Sequence, residues 1–278
     1  MKDLTVDKIP LSAVVITKNE EANIAKCLAS ARRADEGIVV DDESADKTRA
    51  IAEKYADKVI TKKMDIEGSH RNYAYSLAGN KWVLSLDADE VISDELWAEL
   101  SGLLKTDIKH WAFTIPIRTY IGNHWIRHGG WYPAGKVRLF RKDRFKYEEA
   151  EVHPRAFFVG GEGTCGHLTG DIVHYSYRDL HDFFTSLNNQ TTLEAKKWFK
   201  ERRRIGFPRM VKKFCTRFVK SYFFKQGFKD GLIGFVAAYG SSLYQFMSYA
   251  KYRFMLRESN EAQTSVEHYA RRKSAGRI

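Results

Sequence analysis

Residues 81–90 read KWVLSLDADE: a near-continuous apolar run of strand length, Trp82 to Leu86, stopping on Asp87-Ala88-Asp89-Glu90. Such a run suits a strand covered on both faces of a sheet. Inside a regular strand the side chains of 87 and 89 would share a face only through strict alternation, and a turn begins here. Just past the strand end both carboxylates can reach one cation. Two hard oxygen donors suit Mg²⁺ or Mn²⁺, whose other ligands come from phosphate oxygens and water. Asp87 and Asp89 are therefore candidate metal ligands. The plainer alternative is a solvated acidic turn capping the next helix.

Upstream, the same grammar repeats. Leu11 to Thr17 is apolar and strand-like, and runs into Lys18-Asn19-Glu20-Glu21. Asn19 is a candidate helix cap, with Glu20 and Glu21 suited to a helix N-terminus. Ile24, Ala25, Leu28 and Ala31 follow at helical spacing. Ile38-Val39-Val40 is a second buried strand closing on Asp41-Asp42, Val59-Ile60 a third, and His70 to Leu77 a short helix. Strands alternating with helices predict an α/β fold with a mostly parallel sheet and right-handed crossovers. Ligands of such sheets sit at the carboxyl ends of the strands. Here those ends carry Lys18-Asn19, Asp41-Asp42 and Asp87-Ala88-Asp89. Asp41 suits a base or ribose; Asp46 suits a helix cap. In Gly68-Ser-His-Arg-Asn72, Arg71 suits a phosphate and Asn72 a loop or the donor.

Downstream the character changes. Residues 111–175 are rich in aromatics, Gly and His, with strand-like pieces at Trp111–Ile117, Val137–Phe140 and Ile172–Tyr175. Trp125, Trp131 and Tyr132 are candidates to stack on sugar faces, or to fill a small core. From about residue 180 the pattern is helical and basic. Residues 1–195 hold 26 Lys+Arg against 30 Asp+Glu; residues 196–278 hold 20 against 5. Within 196–230 the basic residues interleave with Phe, Tyr, Trp and Met, and 231–250 carry no charge. That composition predicts an amphipathic extension on an anionic membrane surface, with 231–250 inserted shallowly rather than spanning. No nucleic-acid motif accompanies it, so no nucleic acid is expected as partner.

Other classes fall away. Cys27, Cys165 and Cys215 show no paired spacing, and no HExxH occurs. Gly161-Glu-Gly163-Thr-Cys-Gly166 matches GxGxxG but opens no helix. No secretory signal is readable, so a cytoplasmic location is expected, peripheral on the inner face of the cytoplasmic membrane.

The ordered strings AVVITKNEEANIAKCLAS, IVVDDESADKT, SHRNYAYSLAGNKWVLSLDADE, HGGWYP, VRLF and HYSY together resemble the family 2 inverting glycosyltransferases. The last three strings, with the basic tail, are similar to the lipopolysaccharide core β-glucosyltransferase subgroup. The likeness covers roughly residues 11–256. It implies a GT-A nucleotide-sugar-binding fold and a division into a catalytic domain over 1–180 and an extension over 181–278. Within the former, a nucleotide-binding half covers about 9–110 and an acceptor half 111–180. It implies a nucleotide-diphospho-sugar donor, expected to be a uridine diphosphate sugar, and a glycan or lipid-linked acceptor in cell-envelope synthesis. By this resemblance Thr17, Asn19, Glu20 and Asp41 line the nucleotide pocket, Arg71 and Asn72 lie near the donor, and Asp87 and Asp89 hold Mg²⁺ or Mn²⁺. His174 in HYSY is placed to complete the metal site. Trp131 and Arg138 belong to the acceptor side. An inverting transfer needs a carboxylate base for the acceptor hydroxyl. Glu149 falls where the subgroup has an acidic residue, with Glu151 and Glu148 as alternatives. Two readings compete: a haloacid-dehalogenase-type phosphatase using the DxD loop, and a non-catalytic membrane- or nucleic-acid-binding adaptor.

Overall fold

The computed structural model describes residues 7–149 and 155–274, with side chains as far as residue 259. Two compact units divide the described chain. One comprises the residues up to Arg127 and Trp131–Ser176; the other comprises His128–Gly130 and the residues from Tyr177 on.

The first unit is built on β1 (Ile9–Thr17). It lies between β2 (Ala34–Asp41) and β4 (Trp82–Asp87), parallel to both. β3 (Lys58–Thr61) adds in parallel outside β2. The helices that connect these strands are α1 (Ile24–Ser30), α2 (Thr48–Ala52) and α3 (Glu67–Ser76). Alternation explains why β1 has no polar face. Leu11, Ala13 and Val15 join one core, with Ile24 and Leu28 of α1; Val14 joins another, with Ala74 and Tyr75 of α3.

Beyond β4 the sheet turns antiparallel. After β5 (Glu90–Ile92) and α4 (Asp94–Leu103) come β6 (Ala112–Ile121), β7 (His124–Trp125) and β8 (Ala134–Arg141). β8 lies between β4 and β6, antiparallel to both. The hairpin of β9 (Phe145–Tyr147) with β10 (Ala156–Phe158) stands apart. β11 (Cys165–His167) pairs with β6. β12 (Ile172–Tyr177) runs antiparallel to β5 and sets His174 opposite Glu90. That single register joins the first residue of the HYSY string to the last of the DADE string.

Local chemistry departs from expectation at residue 19. Asn19 does not cap α1, which starts at Ile24 with Asn23 before it and no side-chain cap. It takes a left-handed φ of 53°, and its side-chain oxygen accepts from the Ala45 N–H at 2.8 Å. Glu21 likewise accepts from the Lys47 N–H at 3.0 Å. Both stitch the loop after β1 to the loop after β2. Asp46 is not the N-cap of α2 either: Lys47 holds that position without a side-chain cap, and Asp46, one residue before it, accepts from the Thr48 N–H at 2.9 Å.

The second unit is helical: α5 (Leu180–Lys200), α6 (Phe207–Val219) and α7 (Gly231–Ser274). Trp198, Met210, Tyr249 and Tyr252 form its core with Ala195. A Cβ on Gly240 would come within 2.6 Å of the Phe183 ring, so only glycine lets α5 and α7 approach there. The Lys251 ammonium crosses the same interface, donating to Asn188 and to the hydroxyls of Thr191 and Thr192. The charge-free stretch 231–250 packs on one face through Ala237, Ala238, Ser242 and Ser248 and leaves Leu232, Phe235 and Tyr239 exposed. Among the described residues, no helix is long and apolar enough to cross a membrane.

Candidate active site

The carboxyl ends of β1 and β4, the residue after β2 and the first half of α3 line a cleft of about 240 Å³. Thr17, Lys18, Glu20, Asp42, His70, Arg71, Asp87 and Asp89 are all on its wall. Three buried atoms there lack any hydrogen-bond partner: Thr17 Oγ1 and both ring nitrogens of His70. An unpaired buried polar group costs about 1–3 kcal/mol, which a ligand's own donors and acceptors would offset. Burial also pushes the His70 imidazole below its usual range, so it is neutral and offers one donor and one acceptor.

Behind the cleft lies a buried charge network. Arg138 of β8, only 4% exposed, donates to Asp87 Oδ2 at 2.6 Å and to the Glu90 carboxylate. Glu90, fully buried, also accepts from the Asp87 N–H at 2.9 Å. Arg71 stands 3.7 Å from Asp87 Oδ1. Burial opposes the charge on Asp87, yet Arg138 and Arg71 hold its carboxyl well below the usual range. Burial pushes Glu90 upward against the pull of Arg138. The β4–β8 pairing explains the meeting: it sets the Asp87 end of β4 beside the first half of β8.

Asp89 lies on the other side of this turn, and the β5–β12 register delivers His174 to it. His174 Nε2 is 2.9 Å from Asp89 Oδ2. Burial lowers the proton affinity of His174, but the bond to Asp89 outweighs it and the imidazole titrates above its usual range. Asp89 and His174 together are a fitting oxygen–nitrogen pair for a divalent cation completed by phosphate and water. Asp87, the other expected ligand, faces Arg138 and Arg71. Among the described residues no three His, Cys, Asp or Glu side chains converge as a full ligand set.

Other expected residues fall in distinct places. Asp41 does not line the cleft. It is 1% exposed, and its carboxylate accepts from the Ser44 N–H at 3.0 Å and from the Ser44 hydroxyl. Its neighbour Asp42 takes the cleft position, paired with Lys18 at 2.9 Å and accepting from the Met64 N–H at 2.7 Å. Burial works against the Asp42 charge, but Lys18 and Met64 keep it below the usual range. Glu20 is on the wall and accepts from the Asn23 amide at 2.8 Å. Asn72 faces backbone: its amide donates to the Tyr147 carbonyl and accepts from the Tyr147 N–H, both at 2.9 Å. It thereby fixes the segment that leads into Glu148 and Glu149. Glu148 pairs across the hairpin with the Arg155 backbone, and Glu149 is exposed at the end of β9. Glu151 lies outside the described residues. Trp131 is half-buried. Arg138, expected at the acceptor, is buried; its Nη2 donates to both Asp87 and Glu90, and its Nε has no partner. Trp125 has Arg118 and Arg127 guanidiniums 4.4 and 4.1 Å from its ring centre and the Tyr132 ring edge-on, so its faces are taken.

Sequence reading placed Lys18 and Asp42 at the ligand-bearing strand ends without giving them a role, and missed His70 and Glu90. His70 had a local signal, a histidine set between Gly68 and Arg71 at a helix start after a strand. Glu90 had none beyond its place in DADE, because its burial comes from β8. The phosphatase alternative needs an aspartate with an open oxygen as nucleophile. The first aspartate of the pair, Asp87, has both oxygens facing guanidiniums.

The profile of Glycosyl transferase family 2 matches residues 12–161. A glycosyltransferase of Rickettsia felis is 30% identical over 258 residues, covering 90% of this chain and 91% of that one. The lipopolysaccharide core biosynthesis glycosyltransferase LpsC of Rhizobium meliloti is 26% identical over 253 residues, 88% of this chain and 93% of that one. Among solved structures, the crystal structure of S. aureus TarS 1-349 covers 91% of this chain and 92% of that chain at 15% identity, with a TM-score of 0.42.

Proposed function

We propose, from the premise that this chain belongs to glycosyl transferase family 2, that it transfers a hexose with inversion from a nucleoside-diphosphate sugar to a glycan or lipid-linked acceptor of the cell envelope. The observation that carries this reading is the set of unpaired buried atoms, Thr17 Oγ1 and the two His70 nitrogens, on a cleft that also presents Lys18 and Arg71. A nucleotide has the donors and acceptors to satisfy the first set, and its diphosphate the charge to engage the second. The likeness to a lipopolysaccharide core enzyme supports the envelope assignment.

In this reading Thr17 and His70 orient the nucleotide, and Arg71 and Lys18 hold the diphosphate. Asp89 and His174 would hold Mg²⁺ or Mn²⁺, which when bound supplies positive charge to the departing diphosphate. Arg138 and Glu90 keep the DADE turn in place. Glu149, or Glu151 two residues on, takes the proton of the acceptor hydroxyl. The acceptor oxygen forms its bond to the anomeric carbon as the bond to the diphosphate breaks on the opposite face. Asn72, by clamping Tyr147, positions that acidic segment from the cleft side.

The helical unit would associate with an anionic membrane on the cytoplasmic side. Its exposed apolar side chains, among them Phe224 at 80% and Leu232 at 73% exposure, supply apolar contact beside the basic residues. The test of the transferase reading is release of nucleoside diphosphate from a panel of nucleotide sugars, with Mn²⁺ and with EDTA. A uridine diphosphate hexose is the expected substrate. No turnover and no donor binding across the panel would sink it. Co-sedimentation with anionic vesicles at low and high salt tests the membrane part.

A further inference from the structure

The turn between α5 and α6 and one face of α7 line a second, separate hollow of about 820 Å³, open to solvent, within the helical unit. Four guanidiniums line it: Arg202, Arg203, Arg204 and Arg253. Phe199 and Tyr252 give it an aromatic wall. Only one acid stands at this turn, Glu201, and Arg203 already holds it at 2.5 Å. Arg202, Arg204 and Arg253 have no ion-pair partner among the described residues. Exposed to water, these like charges repel one another only weakly, and an anion entering the hollow would turn that repulsion into attraction.

The frame that carries these side chains is braced. The Arg202 N–H donates to the Phe199 carbonyl and the Arg203 N–H to the Trp198 carbonyl, both at 3.1 Å. The Tyr252 hydroxyl donates to the Arg203 carbonyl at 2.5 Å, tying the turn to α7. The Arg203 guanidinium sits 5.6 Å from the centre of the buried Trp198 ring. Arg202 holds a left-handed φ of 49°, a conformation disfavoured for arginine and maintained by these bonds. Gly206, also on the wall, precedes α6, whose first turn holds no acid and no side-chain cap. Arginine forks match phosphate oxygens two at a time. The cavity is several times larger than a lone phosphate requires.

We propose that this cavity binds a phosphomonoester or diphosphate borne on a larger polar body. Two sources share that chemistry, a phosphorylated lipid headgroup at a membrane and a soluble sugar phosphate. The inference stands on the helical unit alone and survives if the transferase reading fails. It also differs from a diffuse attraction of the basic tail to anionic lipid, because it names a site.

The experiment uses the full chain and two double variants of equal charge change. R204Q/R253Q empties the cavity of two unpaired guanidiniums; K212Q/K213Q removes two exposed lysines of α6 that do not line it. One arm measures binding to vesicles of phosphatidylcholine with phosphatidic acid at about 0.5 M salt, where diffuse attraction is screened. The other titrates inorganic diphosphate and glucose 6-phosphate by calorimetry. R204Q/R253Q should lose at least about tenfold in affinity in one arm, while K212Q/K213Q stays within about threefold. R253K, which keeps the charge without the fork, should fall between them and guards against a folding defect in the double variant. Loss confined to vesicles identifies a lipid headgroup; loss with soluble phosphates identifies a free ligand. Equal loss in both double variants, or no binding of any probe by the unaltered protein, overturns the proposal.

Discussion

The two units handle charge in opposite ways. In the first, Glu90 and Arg138 are buried with Asp87 half-buried beside them, and each charge has a partner within hydrogen-bond reach. In the second, arginines and lysines stand exposed and mostly without acids, while burial there belongs to Trp198, Met210 and Tyr252. Buried pairs are unforgiving, because losing one partner strands the other in a low dielectric. Exposed cations are individually dispensable and sensitive to salt. The first arrangement fixes geometry for chemistry on one bound molecule; the second collects many weak attractions.

Mutations can break or sharpen this contrast. The largest effect is expected at the acidic segment after β9. Glu149→Gln should lower transfer by roughly 10²–10⁴-fold with donor affinity nearly unchanged, measured by steady-state kinetics. The same loss from Glu151→Gln instead would move the base by two residues. Next comes the buried network. Arg138→Met should destabilise the protein by about 3–5 kcal/mol in denaturant unfolding, since Asp87 and Glu90 lose their counter-ion. Adding Glu90→Gln should restore part of that. Arg204→Gln should stay within about 0.5 kcal/mol; if the two arginines cost the same, the contrast fails.

Asp89→Ala should reduce turnover on the order of 10²–10³-fold and leave the unfolding midpoint in place. Near-normal turnover of this variant in EDTA would exclude Asp89 as a metal ligand. His70→Leu should weaken nucleoside diphosphate binding about tenfold in calorimetry. It should not destabilise the free protein, because it removes two unpaired buried nitrogens; a large loss of stability would mean His70 is structural. The smallest effect lies in the helical unit. Lys212→Gln should reduce vesicle binding about fivefold at low salt and by nothing measurable at high salt.

Much of the first unit was legible because local pattern and tertiary role agree there. Continuous apolar runs marked β1, β2 and β4, and a parallel sheet needs such runs. DADE at a strand end marked the site for the same reason. Asp41 shows where the pattern stops informing. Adjacent carboxylates at the end of β2 differ only in where the chain turns, and the turn hands Asp41 to Ser44 and Asp42 to Lys18. Asn19 looked like a cap by residue type, yet the following turn delays α1 to Ile24 and turns Asn19 to the Ala45 backbone.

By itself, the sequence determined which residues alternate, which stretches can be buried on both faces, where charge accumulates and which carboxylates end a strand. These follow from side-chain chemistry and the periods of helix and strand. Only the tertiary structure decided that Arg138 pairs with Asp87 and Glu90, by which register His174, expected near the DADE turn from resemblance alone, arrives at Asp89, and that four arginines line one hollow. Each joins residues that local periodicity cannot connect. Asp87 and Arg138 are 51 residues apart and Asp89 and His174 are 85 apart, brought together by the β4–β8 and β5–β12 registers. Register is a property of paired strands, set by how their faces bury against the rest of the sheet, and no single segment carries it.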